Sequence, residues 1–365
     1  MDASDLARAV ESLSPGAAVH PERLAEIAAA ILVLSGLPPV PARDAADLLV
    51  EAQCRGIDSH GLAHLPAYVA RLASGAIDPG ASPCVVRTGP ATARIDGRNG
   101  LGVLTALCAL RTVCELAGAA GIGSCAVFDG NHFGAAAPLV ERAARAGLIA
   151  LVFSNAAPTM APWGGRQPLL GTNPLAAAFP VAGGPPIVVD MATSAVARGR
   201  IRKADASGAA IPADWALDAD GRPTTDPRAA LAGTVQPLGG AKGYALALLV
   251  ELLCTTLSGG RIGAEVRNPH DPAPLPAGTS HLFIALDPGF FAGLETAGAI
   301  AREWCDRIEA SPAAVAGVPP RVPGRQRIAE AARRASAGIP VGKPLLDSLR
   351  QALRKLPAAT GQDAA

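Results

Sequence analysis

The chain is poor in aromatic side chains, with seven Phe, three Trp and two Tyr among 365 residues. An interior without them rests on Ala, Val, Leu and Ile, and so on many small contacts rather than a few large rings. Charged residues are also scarce, at 17%, and nearly balanced, with a formal net charge of +1. That excludes the electrostatic footprint that nucleic acid or an anionic membrane would require. The seven cysteines (Cys54, Cys84, Cys108, Cys114, Cys125, Cys254, Cys305) are odd in number and form no C-x-x-C pair. Neither a disulfide framework nor a structural zinc site is indicated, and isolated buried thiols and no metal centre are expected. The amino terminus carries acids early (Asp2, Asp5, Glu11) and has no basic start followed by an apolar run, unlike a secretory signal. Uninterrupted apolar runs such as 245–250 are far shorter than the roughly 20 residues of a bilayer span. A cytoplasmic, soluble protein with no nucleic-acid or membrane partner is expected.

What the chain does have is turn formers, 40 Gly and 33 Pro, between short elements. Residues 1–20, rich in Ala, Ser and Pro, read as a loose extension. From Pro21 the spacing of Leu24, Ile27, Ala28, Ile31 and Leu32 is helical, and a second helix runs through Ala45, Leu48, Leu49 and Ala52 to Gly56. Strands are predicted at 91–96, 124–128, 148–153, 187–190 and 282–286, with a strong helix over 242–257 and helical composition again near the C-terminus. Strict βαβ alternation is not sustained, so a doubly wound sheet is not the natural reading. The expected organisation is a helical domain over 21–85 completed by 309–365, and a domain over 86–308.

Two stretches place a histidine among glycines and small polar residues: Gly56-Ile57-Asp58-Ser59-His60-Gly61 and Gly130-Asn131-His132-Phe133-Gly134. Histidine exchanges protons near neutral pH, and glycine lets backbone approach a ligand, so the pair points to proton transfer beside a bound small molecule. His132 follows a strand and opens a helix, where it either caps that helix or meets an anion at the helix N-terminus. Asp58, Ser59 and His60 form a polar knot after a helix; adjacency alone does not make Ser59 and His60 a relay. Gly100-Leu101-Gly102 is a lone G-x-G with Thr105 where a third glycine would stand, which favours a tight turn into a helix over a dinucleotide fingerprint. Lys242, after Gly239-Gly240-Ala241, opens the strong helix. The helix dipole disfavours a cation there, so a phosphate or carboxylate partner explains it better.

Taken in order, Asp58-Ser59-His60-Gly61, Asn131-His132-Phe133-Gly134, Pro162-Trp163-Gly164-Gly165, Leu170-Gly171-Thr172-Asn173-Pro174, Asp190-Met191-Ala192-Thr193-Ser194, Gly239-Gly240-Ala241-Lys242-Gly243 and Arg321-Val322-Pro323-Gly324 resemble the type 2 malate/L-lactate dehydrogenase family. That family includes ureidoglycolate and sulfolactate dehydrogenases and the reductases of Δ1-piperideine-2-carboxylate and Δ1-pyrroline-2-carboxylate. The resemblance implies a non-Rossmann α/β fold of α+β character, with a mostly antiparallel central sheet flanked by helices. It further implies the cofactor NAD(P)H, a small carboxylate substrate and a homodimer, with 86–308 as the cofactor-binding domain. By resemblance His60 is the proton donor or acceptor, Ser59 assists it, and His132 is a catalytic base. His64, Tyr68 and Thr172 fall at substrate-binding positions. The segment His132, Phe133, Gly134, Ala135 and Ala136 falls on cofactor-binding positions, as do Asp190, Met191, Ala192, Arg198, Gly199, Lys242, Pro323 and Gly324.

Two departures bear on the substrate. Where many members carry an arginine that grips the substrate carboxylate, this chain has His64. Where the cyclic imine reductases carry an aspartate thought to pair with the histidine and serine, it has Arg200, which cannot supply negative charge. The expected reaction is therefore hydride exchange between NAD(P)H and a 2-oxo or 2-hydroxy acid, with cyclic imino acid reduction or a non-catalytic cofactor-binding scaffold as alternatives. The basic cluster Arg198, Arg200, Arg202 and Lys203 leans the cofactor toward NADPH.

Overall fold

The computed structural model describes residues 2–356 apart from residue 272. In chain order the elements are α1 (Ala3–Glu11), β1 (Ala18–Val19), α2 (Pro21–Leu34), α3 (Pro39–Cys54), α4 (Leu65–Ala73), β2 (Cys84–Arg87), β3 (Thr92–Asp96), α5 (Gly102–Ala120), β4 (Ile122–Gly130), α6 (Ala137–Arg145), β5 (Ile149–Ser154), β6 (Leu175–Phe179), β7 (Ile187–Met191), α7 (Arg198–Ser207), β8 (Ala216–Leu217), α8 (Pro227–Ala232), β9 (Thr234–Val235), α9 (Ala241–Ser258), β10 (Thr279–Leu286), α10 (Leu294–Ala310), α11 (Arg325–Ala337), β11 (Ile339–Pro340) and α12 (Lys343–Arg354).

Seven strands form one sheet in the order β2-β3-β4-β10-β5-β6-β7. Only β3 and β4 run parallel, joined by the α5 crossover; every other pair is antiparallel. Strand alternation sends Cys125, Val127, Ala150, Val152 and Phe283 to the face covered by α5 and α6. Ala126 and Leu282 face the opposite way, onto Val250 and Cys254 of α9. The mixed α/β fold with a mostly antiparallel sheet is thus as expected. Strands β2 and β6 are additions. The sequence Leu175-Ala176-Ala177-Ala178-Phe179 carries little β-branched signal, and its strand state comes from pairing with β5 and β7.

At one side of the sheet, α1, α2, α3, α4, α11 and α12 pack together, and β1 pairs with β11, so early and late segments of the described residues meet there. The loose extension expected over 1–20 is corrected: α1 is a capped helix with Leu6 and Val10 fully buried. Apolar spacing of four residues outweighed the Ala/Ser/Pro composition. A buried ion pair fastens this group to the sheet layer. Arg55, at the end of α3, donates from Nε and Nη2 to Glu141 Oε2 of α6 at 3.1 and 2.8 Å. A smaller cluster, with Met160, Ile201, Ile211 and Val235, holds α7, α8, β8 and β9 together. Helices α5 and α9 are long and apolar enough in length and composition to cross a bilayer, contrary to the reading from uninterrupted runs. Both lie against the sheet.

Candidate active site

The two histidine stretches, with His60 and His132 72 positions apart in sequence, come together. Helix α3 ends at Cys54, and Gly56 (φ +66°) reverses the chain into a short 3-10 turn, Asp58–His60. Gly61 then passes so close to α3 that a Cβ there would sit 2.8 Å from Gln53 Oε1 and 3.0 Å from the Leu49 carbonyl oxygen. A second turn, Leu62–His64, leads straight into α4, which carries Tyr68 one turn on. His132 follows β4. Its loop is pinned by Asn131, whose Nδ2 donates to the Gly100 carbonyl at 2.9 Å and to Asn99 Oδ1 at 3.1 Å. Gly102 has a packing role in this corner, since a Cβ there would lie 2.1 Å from the Asn131 carbonyl oxygen. The Gly100-Leu101-Gly102 stretch is therefore a tight entry into α5. Gly134 (φ +86°) brings the second loop against the first, its Cβ direction 3.3 Å from the His60 carbonyl oxygen.

The rings of His60, His64 and His132 form one group. The His64 and His132 centroids are 4.2 Å apart, and His60 lies 5.7 Å from His64 and 5.8 Å from His132. Ser59 Oγ is 2.9 Å from His60 Nδ1, so the neighbouring side chains do meet. Tyr68 Oη lies 2.8 Å from His132 Nδ1 and 3.2 Å from the His132 carbonyl oxygen. The Gly134 N–H donates to His132 Nδ1 at 3.3 Å and the tyrosine hydroxyl donates to the same atom, so Nδ1 is the lone-pair nitrogen and Nε2 carries the ring hydrogen. Tyr68 thus orients the His132 ring, beside the substrate-binding position expected of it from the resemblance. His64 is nine-tenths buried and its Nδ1 has no partner.

Burial is the main cause that holds all three imidazoles below their usual range. His64 is pushed down to about 3 by burial, then by His60 and His270. His132 goes well below its ordinary value, with His64 and His60 adding to burial. Burial also raises the Tyr68 hydroxyl, which stays protonated. Burial therefore favours the neutral form of all three rings.

The segments expected to hold cofactor fall in linked places. Asp190, at the end of β7, accepts a 2.9 Å hydrogen bond from the Ala137 N–H, next to Phe133, Gly134, Ala135 and Ala136. Pro323 accepts from Val188 N at 3.2 Å, and a Cβ on Gly324 (φ +82°) would lie 2.7 Å from Val188 Cβ, so this turn sits on β7 beside Asp190, Met191 and Ala192. Thr193 joins two further segments. Its N–H and Oγ1 donate to the Thr172 carbonyl at 2.9 and 3.0 Å, and its carbonyl accepts from Leu238 N at 2.9 Å, just before Lys242. The Thr172 hydroxyl makes no hydrogen bond to the histidines among the described residues. Lys242 and Gly199 are exposed, whereas Arg198 is half-buried and donates to the Leu231 carbonyl at 2.6 Å.

Three features escaped the sequence reading. His270 stacks 5.4 Å from His64. Arg202 lies near enough to His64 and His270 to disfavour their charged forms. Glu251, buried in α9, accepts from Asn173 Nδ2 at 2.7 Å and Asn155 Nδ2 at 3.3 Å, which makes Asn173 a structural residue. A single acid in Leu248-Leu249-Val250-Glu251-Leu252-Leu253 was the available signal for that network.

A family model described as malate/L-lactate dehydrogenase matches residues 19–350. The chain belongs to this family. The (2R)-3-sulfolactate dehydrogenase (NADP(+)) of Chromohalobacter salexigens is 42% identical over 266 residues, 73% of this chain and 80% of the relative. The Δ1-pyrroline-2-carboxylate/Δ1-piperideine-2-carboxylate reductase of Pseudomonas syringae pv. tomato is 37% identical over 339 residues, 92% of this chain and 96% of its own. Among solved structures, sulfolactate dehydrogenase from Methanocaldococcus jannaschii superposes with a TM-score of 0.85 at 35% identity, covering 93% and 97% of the two chains. As a malate/L-lactate dehydrogenase family member, the chain is a nicotinamide-dependent oxidoreductase of 2-hydroxy and 2-oxo acids.

The residues fit such a cofactor. Arg200, Arg202, Lys203 and Lys242 are exposed cations suited to phosphates, and none is tied to a carboxylate among the described residues. The orphaned His64 Nδ1 and the free edges of His60 and His132 give a substrate polar partners beside it.

Proposed function

We propose that the chain interconverts a small 2-hydroxy acid and its 2-oxo acid, with His60 carrying the proton and NADP(H) as the preferred cofactor. The observation that supports this most is the meeting of His60 and His132, each with Nδ1 held by a hydroxyl, Ser59 or Tyr68. A bound nicotinamide supplies or accepts the hydride at the substrate α-carbon. His60, neutral through burial, accepts the hydroxyl proton in oxidation and returns it to the carbonyl oxygen in reduction. Ser59 fixes the ring so that Nε2 faces the reacting oxygen. His132, oriented by Tyr68, shares the pocket and hydrogen-bonds the substrate. His64 and Arg202 supply a donor and a cation for anionic groups, which favours an acid with a second anionic group such as sulfolactate. Lys242, Arg200 and Lys203 hold phosphates, and the turn at Pro323 and Gly324 with Asp190, Met191 and Ala192 lines the cofactor. A cytoplasmic homodimer belongs to the same reading; the exposed Leu249, Leu252 and Leu257 of α9 offer an apolar face for a second copy.

The test follows reduced-cofactor absorbance near about 340 nm, a property of the nicotinamide. Purified protein meets NADPH or NADH with sulfolactate, malate, lactate, their oxo acids and cyclic imino acids. Turnover of a 2-hydroxy acid that falls by about a hundred- to ten-thousand-fold in His60→Ala supports the reading. Turnover confined to cyclic imines, or unaffected by His60→Ala, overturns it.

A further inference from the structure

We propose that His60, His64 and His132 form a binding site for one divalent transition-metal ion of the zinc, cobalt or copper kind. One ring nitrogen from each lies within 4.8 Å of those from the other two. No motif spacing announced it; the three come from two loops and a helix entry that the fold joins. The Nδ1 atoms of His60 and His132 are engaged by Ser59 Oγ and Tyr68 Oη, which leaves Nε2 of each without a protein partner. At His132 an ion takes Nε2 once the ring hydrogen moves to Nδ1, which then donates it to Tyr68 Oη and gives up the Gly134 N–H. A metal-binding imidazole is usually supported by a hydrogen-bond acceptor on its second nitrogen, a part that the Ser59 and Tyr68 hydroxyl oxygens can play. His64 gives the independent sign. It is nine-tenths buried, its Nδ1 has no hydrogen-bond partner, and its ring stands 4.2 Å from that of His132. A buried polar atom without a partner is costly, and coordination satisfies it. Three imidazoles and no carboxylate suit zinc, copper, nickel or cobalt and leave a fourth position for water or an anion.

Zinc–nitrogen bonds of about 2.1 Å require the nitrogens to draw in by about an ångström, a movement open to half-buried His60. An ion held there takes the lone pair that His60 needs for proton transfer. Ion and turnover therefore exclude one another, a consequence that rests on the function proposed above, whereas binding itself does not.

Binding is tested on the wild-type chain with cobalt and copper salts. Cobalt is expected to give visible d–d absorption that saturates at one ion per chain. The copper spin-resonance spectrum is expected to show coupling to three nitrogens. His64→Asn, checked for an unchanged circular dichroism spectrum, is expected to weaken cobalt binding by more than about a hundredfold. Absence of saturable binding, coupling to fewer than three nitrogens, or unchanged affinity in His64→Asn overturns the site. Zinc inhibition competitive with the 2-hydroxy acid supports the exclusion. Binding with undiminished turnover leaves the site standing and overturns the exclusion, and with it the role of His60.

Discussion

Tyr68 and His132, 64 residues apart, meet through a 2.8 Å contact between Oη and Nδ1. The hydroxyl fixes which edge of the imidazole faces the pocket. Tyr68→Phe keeps the packing and removes that contact. A fall in kcat of about tenfold, worth about 1.4 kcal/mol, is expected, with little change in KM for the cofactor. Steady-state kinetics check it, and an unchanged kcat would show that Tyr68 only fills space.

Gly61→Ala is expected to destabilise by about 1–3 kcal/mol, because its Cβ would press on the Leu49 carbonyl, backbone inside α3. Thermal unfolding reads the loss. Activity should fall as well, since the push displaces the turn that carries His60.

In the α9 network, Asn173 donates to Glu251 Oε2 and to the Ala247 carbonyl, and its own Oδ1 accepts from Ala156 N. Asn173→Ala leaves a buried carboxylate short of a donor. A loss of about 1–3 kcal/mol in a urea melt is expected.

His281 provides a pH test outside the histidine cluster. It is fully buried on β10, with Nδ1 2.8 Å from Ser154 Oγ, and burial pushes it down to about 4. Between its unfolded value near 6.5 and about pH 4, the unfolded chain takes up a proton that the folded chain refuses. Its contribution is fully present above pH 6.5 and is lost as pH falls through that window, by about 3 kcal/mol in all. Denaturant melts of His281→Gln from pH 7 to pH 4.5 should show a shallower decline than wild type.

Lys242→Ala is expected to raise the cofactor KM several-fold with a small effect on kcat, because an exposed cation binds a phosphate without touching the reacting atoms. Comparison of NADPH with NADH in Arg200→Ser reports whether Arg200 meets the additional phosphate: a selective loss with NADPH is expected.

The parts legible in the sequence were local. Gly56 and Gly61 around His60, and Gly134 after His132, announced two tight turns, and α2, α3 and α9 followed from apolar spacing. The broken βαβ order spoke against a doubly wound sheet, and the mostly antiparallel sheet followed from the resemblance; that β3 and β4 alone run parallel was not read from the sequence. The illegible parts were pairings at long range. Nothing near Tyr68 says that it reaches His132, and nothing near His270 says that it stacks on His64. Asp190 reads as a ligand residue by resemblance, yet its visible task is to hold the N–H of Ala137. Strand β6 was hidden because alanine carries no strand signature and its neighbours decided the matter.

His60, His64 and Tyr68 belong to the segment that runs with the terminal helices, whereas His132 follows a strand of the sheet, and Gly134 against the His60 carbonyl is one place where the two layers touch. A substrate that engages both loops is therefore a clasp across that seam. Saturating ligand should raise the unfolding temperature and slow proteolysis at the seam together, by mass action on the closed form. If the seam opens, loosening the Arg55–Glu141 pair that also spans it, as in Glu141→Gln, is expected to weaken substrate binding, which a comparison of KM values checks.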